Sequence, residues 1–320
     1  MAPPVERFLE AHPDVAAAWY PLLSSAAGRV LALPGLGRWS DLARRVHAVA
    51  EPAGWTTLIA TPEVGPGDHY DHLTVLSANL WHDWPRQHGW AERLGDVASL
   101  VEAEAADILL LQEVARTTSL QADLWLAHRL DMSLVYARAN GAVEAIGFEE
   151  GLAVLSRFPI TRTHLRQLGR TRNPLARRVA LAAELATPLG PVVVVCVHLG
   201  LRGRANSVQI RALRSWVGQL RNGGTAIVGG DFNATEGSQE IGLTQQSWTD
   251  TFRDRHPQAD ATTHRSGAPW RAWSRHRRLD YVFVEQPAEN RWKVLSADHL
   301  DAPGGPHSDH RAVLVRLARG

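Results

Sequence analysis

The chain has 320 residues, 45% of them hydrophobic, enough for one large α/β domain or two ordinary ones, which argues against a disordered or fibrous protein. Its 34 basic and 33 acidic side chains leave a formal net charge of +1, so no global field draws it to nucleic acid or an anionic membrane, and any basic surface must be local. The single cysteine, Cys196, cannot close an internal disulfide and reads as a small buried hydrophobe within an apolar run.

Residues 1–70 are Ala-rich and broken by Pro21, Pro34, Pro52, Pro62 and Pro66. Helices are expected over 5–10 and 40–50, the second opened by Ser40 as N-cap, so this stretch reads as a helical N-terminal extension. Glu6, Arg7, Glu10 and Asp14 precede any apolar stretch, the wrong order for a secretory signal, and no transmembrane segment is visible. A cytoplasmic location is expected. Gly65-Pro66-Gly67-Asp68 supplies a linker into a catalytic domain spanning 71–320.

From Leu73 onward, short apolar runs of β type recur over 73–78, 108–111, 152–155, 179–185, 192–197, 226–228, 281–284 and 312–317. Three- and four-residue apolar spacing predicts helices over 90–105 and 207–221. Strands that are sometimes adjacent and sometimes separated by helices favour a mixed two-sheet α/β sandwich over a regular βαβ winding.

The polar residues at the ends of these strands carry the chemistry. The first run ends in Asn79, the second in Glu113, the fifth in His198, and the sixth delivers Asp231 and Asn233; Asp280 opens a late strand, and His307-Ser308-Asp309-His310 precedes the last. Glu113 and Asn79 offer hard oxygen ligands suited to Mg²⁺ or Mn²⁺, with Asp309 as a further candidate ligand. Asp231 suits an attacking water and Asn233 a phosphoryl oxygen. His198 and His310 suit developing oxyanion charge, with Asp280 and Asp309 orienting the imidazoles. Between Glu150 and Glu184 seven arginines occur with no acid, and five more between Asp260 and Asp280 are interleaved with Trp270 and Trp273. Arg157, Arg178 and Arg278 are candidates for phosphate, and Trp81, Trp270 and Trp273 for a base or lipid surface.

In order, these motifs resemble the endonuclease/exonuclease/phosphatase superfamily, with its deoxyribonuclease I-like fold, over about Leu73 to Leu317. They are Ser77-Ala78-Asn79-Leu80-Trp81, Leu111-Gln112-Glu113-Val114, Gly151 to Ile160, Cys196-Val197-His198-Leu199-Gly200, Gly230-Asp231-Phe232-Asn233, Arg278 to Val284 and Ser308-Asp309-His310. The resemblance implies a four-layer α/β/β/α sandwich of two mixed β-sheets flanked by helices, and a Mg²⁺- or Mn²⁺-dependent site cleaving a phosphate ester. By analogy Glu113 and Asn79 hold metal, Asp231 activates water, Asn233 binds the scissile phosphate, and His198 and His310 assist. Trp81 stands where the abasic-site enzymes carry an acid, and His198 aligns with their tyrosine, which argues against that branch. His198-Leu199-Gly200-Leu201 with Arg204 and Gln209 is closer to the bacterial metal-dependent hydrolases.

The expectation is therefore a monomeric Mg-dependent phosphodiesterase acting on nucleic acid or a phospholipid head group, with no protein partner predicted. The alternative is a catalytically silent binding or scaffold module of the same fold, against which the complete set of polar residues argues.

Overall fold

Alternate residues of the apolar runs face opposite layers, and this period of two builds the molecule. In the computed structural model, which describes residues 56–59, 70–84, 88–170, 177–201, 203–266, 275–287 and 292–320, the chain runs β1 (Thr56–Ile59), β2 (Leu73–Asn79), α1 (Trp90–Ala103), β3 (Ile108–Thr117), α2 (Ala122–Leu130), β4 (Ser133–Ala142), α3 (Val143–Ile146), β5 (Phe148–Ser156), β6 (Ile160–Arg170) and β7 (Arg177–Thr187). It continues through β8 (Gly190–His198), α4 (Arg204–Leu220), β9 (Ala226–Asp231), α5 (Gln239–Gln245), β10 (Thr249–Asp250), α6 (Thr251–Arg255), β11 (His264–Ser266), β12 (Arg275–Arg277), β13 (Asp280–Glu285), β14 (Trp292–Leu300) and β15 (Ala312–Arg319).

Among the described residues one sheet has seven strands in the order β1-β4-β5-β3-β2-β15-β14, and the second has six in the order β10-β13-β9-β8-β7-β6; β11 and β12 form a separate ribbon. Each large sheet is antiparallel except for one central parallel pair, β2 with β3 and β8 with β9. Leu73, Val75, Ile108 and Leu110 of the first sheet meet Val192, Val194, Cys196 and Ile227 of the second in the inter-sheet core. The intervening residues Leu76, Leu109 and Leu111 face outward against Leu94, Val97 and Val101 of α1 and Leu126 of α2. Val193, Val195 and Val197 likewise pack on Ile210, Leu213 and Val217 of α4. The result is the expected four-layer α/β/β/α sandwich, and burial of each such Val or Leu contributes about 1.5–3 kcal/mol.

All eight expected strands are present, and the two expected helices run over Trp90–Ala103 and Arg204–Leu220. Besides β1 and the short β10, β11 and β12, the structure adds β4, β6 and β14. The last two are the outermost strands of their sheets, where polar residues are tolerated and the apolar pattern fades. Thr56–Ile59, inside the segment expected to be a helical extension through residue 70, instead pairs antiparallel with β4 as an edge strand. Its Thr-Thr-Leu-Ile run has the β-branched character that this pairing favours. The helices expected over 5–10 and 40–50 lie outside the described residues. No helix among the described residues is long and apolar enough to cross a membrane.

Candidate active site

The two central parallel pairs bring the candidate residues together. Both pairs end at the same edge of the sandwich: Asn79 lies opposite Gln112, and His198 opposite Asp231. Antiparallel β13 begins there, with Asp280 opposite Asp231, and β15 starts two residues after His310. Residues distant in sequence therefore share one cleft because strand direction places them there.

Local backbone then aims the side chains. The register of β3 slips between Leu111 and Val114, and within that bulge Glu113 takes φ 52°. Gln112 turns inward, donating to Leu110 O at 2.7 Å, Ser77 Oγ at 3.3 Å and Cys196 Sγ at 3.3 Å, while Glu113 turns to the cleft. Trp81 (φ 45°) and Asn233 (φ 50°) share this left-handed region, a clustering of strain that accompanies functional sites. Gly230, at φ 147°, is required by contact: an added Cβ would sit 1.9 Å from Val197 O, so only glycine lets β8 and β9 approach this closely beside Asp231.

Asn79 bridges the two sheets. Its Nδ2 donates to Glu113 Oε1 at 3.2 Å and to Asp231 Oδ2 at 3.4 Å, and its Oδ1 accepts from Trp81 N at 3.0 Å. Asp231 is buried; its Oδ1 accepts from Asn233 N at 2.7 Å, and its Oδ2 lies 3.3 Å from Asn233 Nδ2 and 3.6 Å from His198 Nε2. Asn233 Nδ2 also donates to Leu199 O at 2.9 Å, so Asn233 positions Asp231. Burial, reinforced by Asp280, pushes the Asp231 carboxyl up to about 7.

His310 Nδ1 donates to Asp280 Oδ2 at 2.8 Å. Burial disfavours its imidazolium, but Asp280, together with Asp231 and Asp309, outweighs burial and lifts His310 to about 10. His198 goes the other way: burial, with Arg178 and His310 adding to it, holds its imidazole well below the ordinary range, so it is neutral. Thr263 Oγ1 accepts from the backbone N–H groups of Leu279 and Asp280, fixing the start of β13.

The chemistry of this donor set fits a hard divalent cation. Asp280, Asp231 and Asp309 lie around His310, and Asp280 and Glu113 add to burial in raising Asp231, so carboxylate oxygens converge on this point. Asp231, Asp280 and His310, and separately His264, Asp309 and His310, form groups whose ligand atoms lie close enough to hold one ion.

Not every expected residue arrives at this edge. Arg157 follows Ser156, which pairs with Ile108 at the start of β3, so it lies at the opposite edge, its Nε donating to Ala106 O at 3.2 Å. Arg157 is removed from the substrate set by the direction of β5. Arg278 is buried and consumed by Asp250, at 2.6 and 2.8 Å, and Glu236, at 2.8 Å, so its charge holds α6 and is not offered to substrate. Asp309 accepts from Ser308 Oγ at 3.3 Å and lies 3.6 Å from His264 Nε2. Arg178 is partly buried, an electrostatic neighbour of both His198 and Glu150. Trp81 is 38% exposed beneath the Arg93 guanidinium. Trp270 and Trp273 lie outside the described residues.

Sequence reasoning missed four residues. His82 Nε2 is 3.6 Å from Glu113 Oε2, with its ring edge-on to Phe148. Arg93 of α1 donates through Nη1 to Leu80 O, Trp81 O and His307 O, tying the loop after Asn79 to the loop before His310. Glu150 is buried against Asn140, its carboxyl raised by burial. His264 packs beside His310, ring centroids 4.5 Å apart and planes tilted by 55°. His82, three residues after Asn79, was the one legible signal; Glu150 and His264 emerge from strand pairing, and Arg93 from the packing of α1 against the loops it ties.

Comparison with known proteins agrees with this geometry. A profile of the Endonuclease/Exonuclease/phosphatase family matches residues 76–310. The Escherichia coli (strain K12) protein YbhP is 33% identical over 153 residues, 44% of this chain and 58% of that protein, so the match spans little more than half of the curated relative. Among solved structures, an endonuclease/exonuclease/phosphatase family protein from Leptotrichia buccalis C-1013-b superposes with a TM-score of 0.64 at 17% identity, covering 77% of this chain and 99% of that one. The human Nocturnin catalytic domain with bound sulfate anion gives 0.62 at 21% identity, covering 78% and 94%. With the profile covering most of the chain and the fold shared, this protein belongs to the endonuclease/exonuclease/phosphatase family, whose members are hydrolytic nucleases and phosphatases built on the deoxyribonuclease I-like sandwich.

Proposed function

We propose that the chain is a divalent-cation-dependent phosphoesterase that hydrolyses a phosphodiester, in nucleic acid or a phospholipid head group, by attack of water on phosphorus. The observation that carries this reading is geometric: in one cleft, buried Asp231 is held by Asn233 N–H at 2.7 Å and the Asn79 amide at 3.4 Å, beside His310, whose Nδ1 donates to Asp280 at 2.8 Å. Glu113 and Asn79 are the residues that would hold Mg²⁺ or Mn²⁺, whose chemistry is to neutralise phosphoryl and leaving oxygens.

Asp231 accepts the proton of the attacking water, kept in place by Asn233 N–H and the Asn79 amide. His310, its Nδ1 committed to Asp280, presents Nε2 to a phosphoryl oxygen as negative charge grows. Neutral His198 directs an N–H at the Asp231 carboxylate. Arg178 pairs with a non-bridging phosphate oxygen, and Trp81 offers an exposed ring face to a base or acyl surface.

The test is hydrolysis of plasmid DNA, RNA, phospholipid vesicles and an aryl phosphodiester with Mg²⁺, Mn²⁺ or EDTA, beside His310→Ala. Metal-dependent turnover of any substrate, lost in the variant, is expected. A folded protein that turns over none of them would sink the reading.

A further inference from the structure

His264 belongs to no motif of the family resemblance, yet it reaches the site on β11, its ring 4.5 Å from that of His310. An antiparallel bridge between His264 and His310 zips its strand to the segment bearing His310, and its two hydrogen bonds run from Arg265 N to Asp309 O at 3.1 Å and from Arg311 N to Thr263 O at 2.7 Å. The side chains of His264, Asp309 and His310 are thus held on paired backbone, with one ligand atom from each inside a common 4.8 Å radius of one another.

The separation within this trio is informative. His264 Nε2 lies 3.6 Å from Asp309 Oδ2, too long for a hydrogen bond, but close to the roughly 3.4 Å edge of a tetrahedron whose ligand bonds are about 2.0–2.1 Å. His310 is oriented as metal-binding histidines commonly are: Nδ1 donates to the carboxylate of Asp280 at 2.8 Å, leaving Nε2 for a ligand. His264 Nδ1 is buried without a hydrogen-bond partner, so the ring's accessible donor is the nitrogen facing Asp309.

The donors differ in kind from those at Glu113. Two imidazoles and one carboxylate favour a borderline cation such as Zn²⁺ or Co²⁺ and leave one position open, whereas Glu113 and Asn79 offer oxygen alone and suit Mg²⁺. We propose that His264, Asp309 and His310 form a second cation site, selective for Zn²⁺-like ions over Mg²⁺, whose occupation withdraws His310 from substrate and inhibits hydrolysis. The inhibition rests on the function proposed above; the binding does not.

The decisive measurement is Zn²⁺ affinity of the full, tag-free chain by competition with a chromogenic chelator, with Co²⁺ absorption as the spectroscopic counterpart. One equivalent should bind in the presence of excess Mg²⁺. His264→Ala should weaken binding at least about tenfold, and Glu113→Gln should leave it intact. His264→Gln, which keeps a polar side chain of similar reach, serves as the second variant, and thermal melting of each identifies folded protein. Wild-type affinity in folded His264 variants, or loss of Zn²⁺ binding in Glu113→Gln, would overturn the proposal. Where hydrolysis is measurable, Zn²⁺ should slow the Mg²⁺-supported rate, and His264→Ala should need more Zn²⁺ for half inhibition; an equal requirement would overturn the inhibitory role. Zn²⁺ binding without hydrolysis of any substrate would remove the proposed function and keep the site, while hydrolysis without Zn²⁺ binding would do the reverse.

Discussion

Two buried charge clusters sit two residues apart on the same stretch of chain and do different work. Around Arg278, both Nη atoms meet carboxylates of Asp250 and Glu236, the guanidinium lies over Tyr281 at 4.4 Å and Phe252 at 5.2 Å, and Arg253 Nη2 closes the network on Glu236 at 2.7 Å. Around Asp280, Oδ1 and His198 Nδ1 are buried without partners, and Asp231 is driven to about 7. Arg278 Nε also lacks a partner, yet every carboxylate of its cluster meets a guanidinium, whereas around Asp280 the carboxylates outnumber the cations, and that excess is what suits a metal ion.

The sharpest way to break this contrast is to remove one charge from each cluster. Asp231→Ala should lower turnover by about 10³-fold or more while the melting temperature stays level or rises, because a buried, crowded carboxylate is lost. Near-wild-type turnover would take Asp231 out of the chemistry. Arg278→Ala should do the opposite, costing about 3–5 kcal/mol in denaturant unfolding by stranding Asp250 and Glu236. A stability change below about 1 kcal/mol would show that the cluster is not structural.

The pH dependence of stability sharpens the same point. His310 titrates at about 10 in the folded protein against an ordinary 6.5, so its contribution is fully present below about 6.5 and fades as pH rises toward 10. In EDTA, the melting difference between wild type and His310→Gln should therefore be largest below pH 6.5 and shrink through alkaline pH. A difference that grows with pH would mean the Asp280 pairing is absent. Glu113→Gln should raise the Mg²⁺ needed for half activity about tenfold, near 1.4 kcal/mol of cation affinity, and an unchanged titration would remove Glu113 from the metal. Smallest of all, Arg157→Ala should shift stability by less than about 0.5 kcal/mol and leave turnover unchanged, as befits a partly exposed side chain at the far edge.

The convergence of Asn79, Glu113, His198, Asp231, Asp280 and His310 was legible because each stands where an apolar run starts or stops, and strand ends are where a sandwich presents side chains to a cleft. Arg157 and Arg278 were misplaced for one reason: a cation in a loop looks the same in sequence whether it faces substrate, the far edge or a buried acid. His264, Arg93 and Glu150 were invisible because their importance lies in what the chain brings beside them, Asp309, His307 and Asn140 respectively.

The sequence by itself determined the layers: period-two apolar runs specify strands with two buried faces, period-3.6 runs specify the covering helices, and Gly230 allows β8 and β9 to touch. Only the tertiary structure decided which charges are spent and which are free. Burial and partner count follow from contacts between residues as far apart as Asn79 and Asp231, and these set whether a carboxylate is a strut or, like Asp231, a buried acid pushed up to about 7.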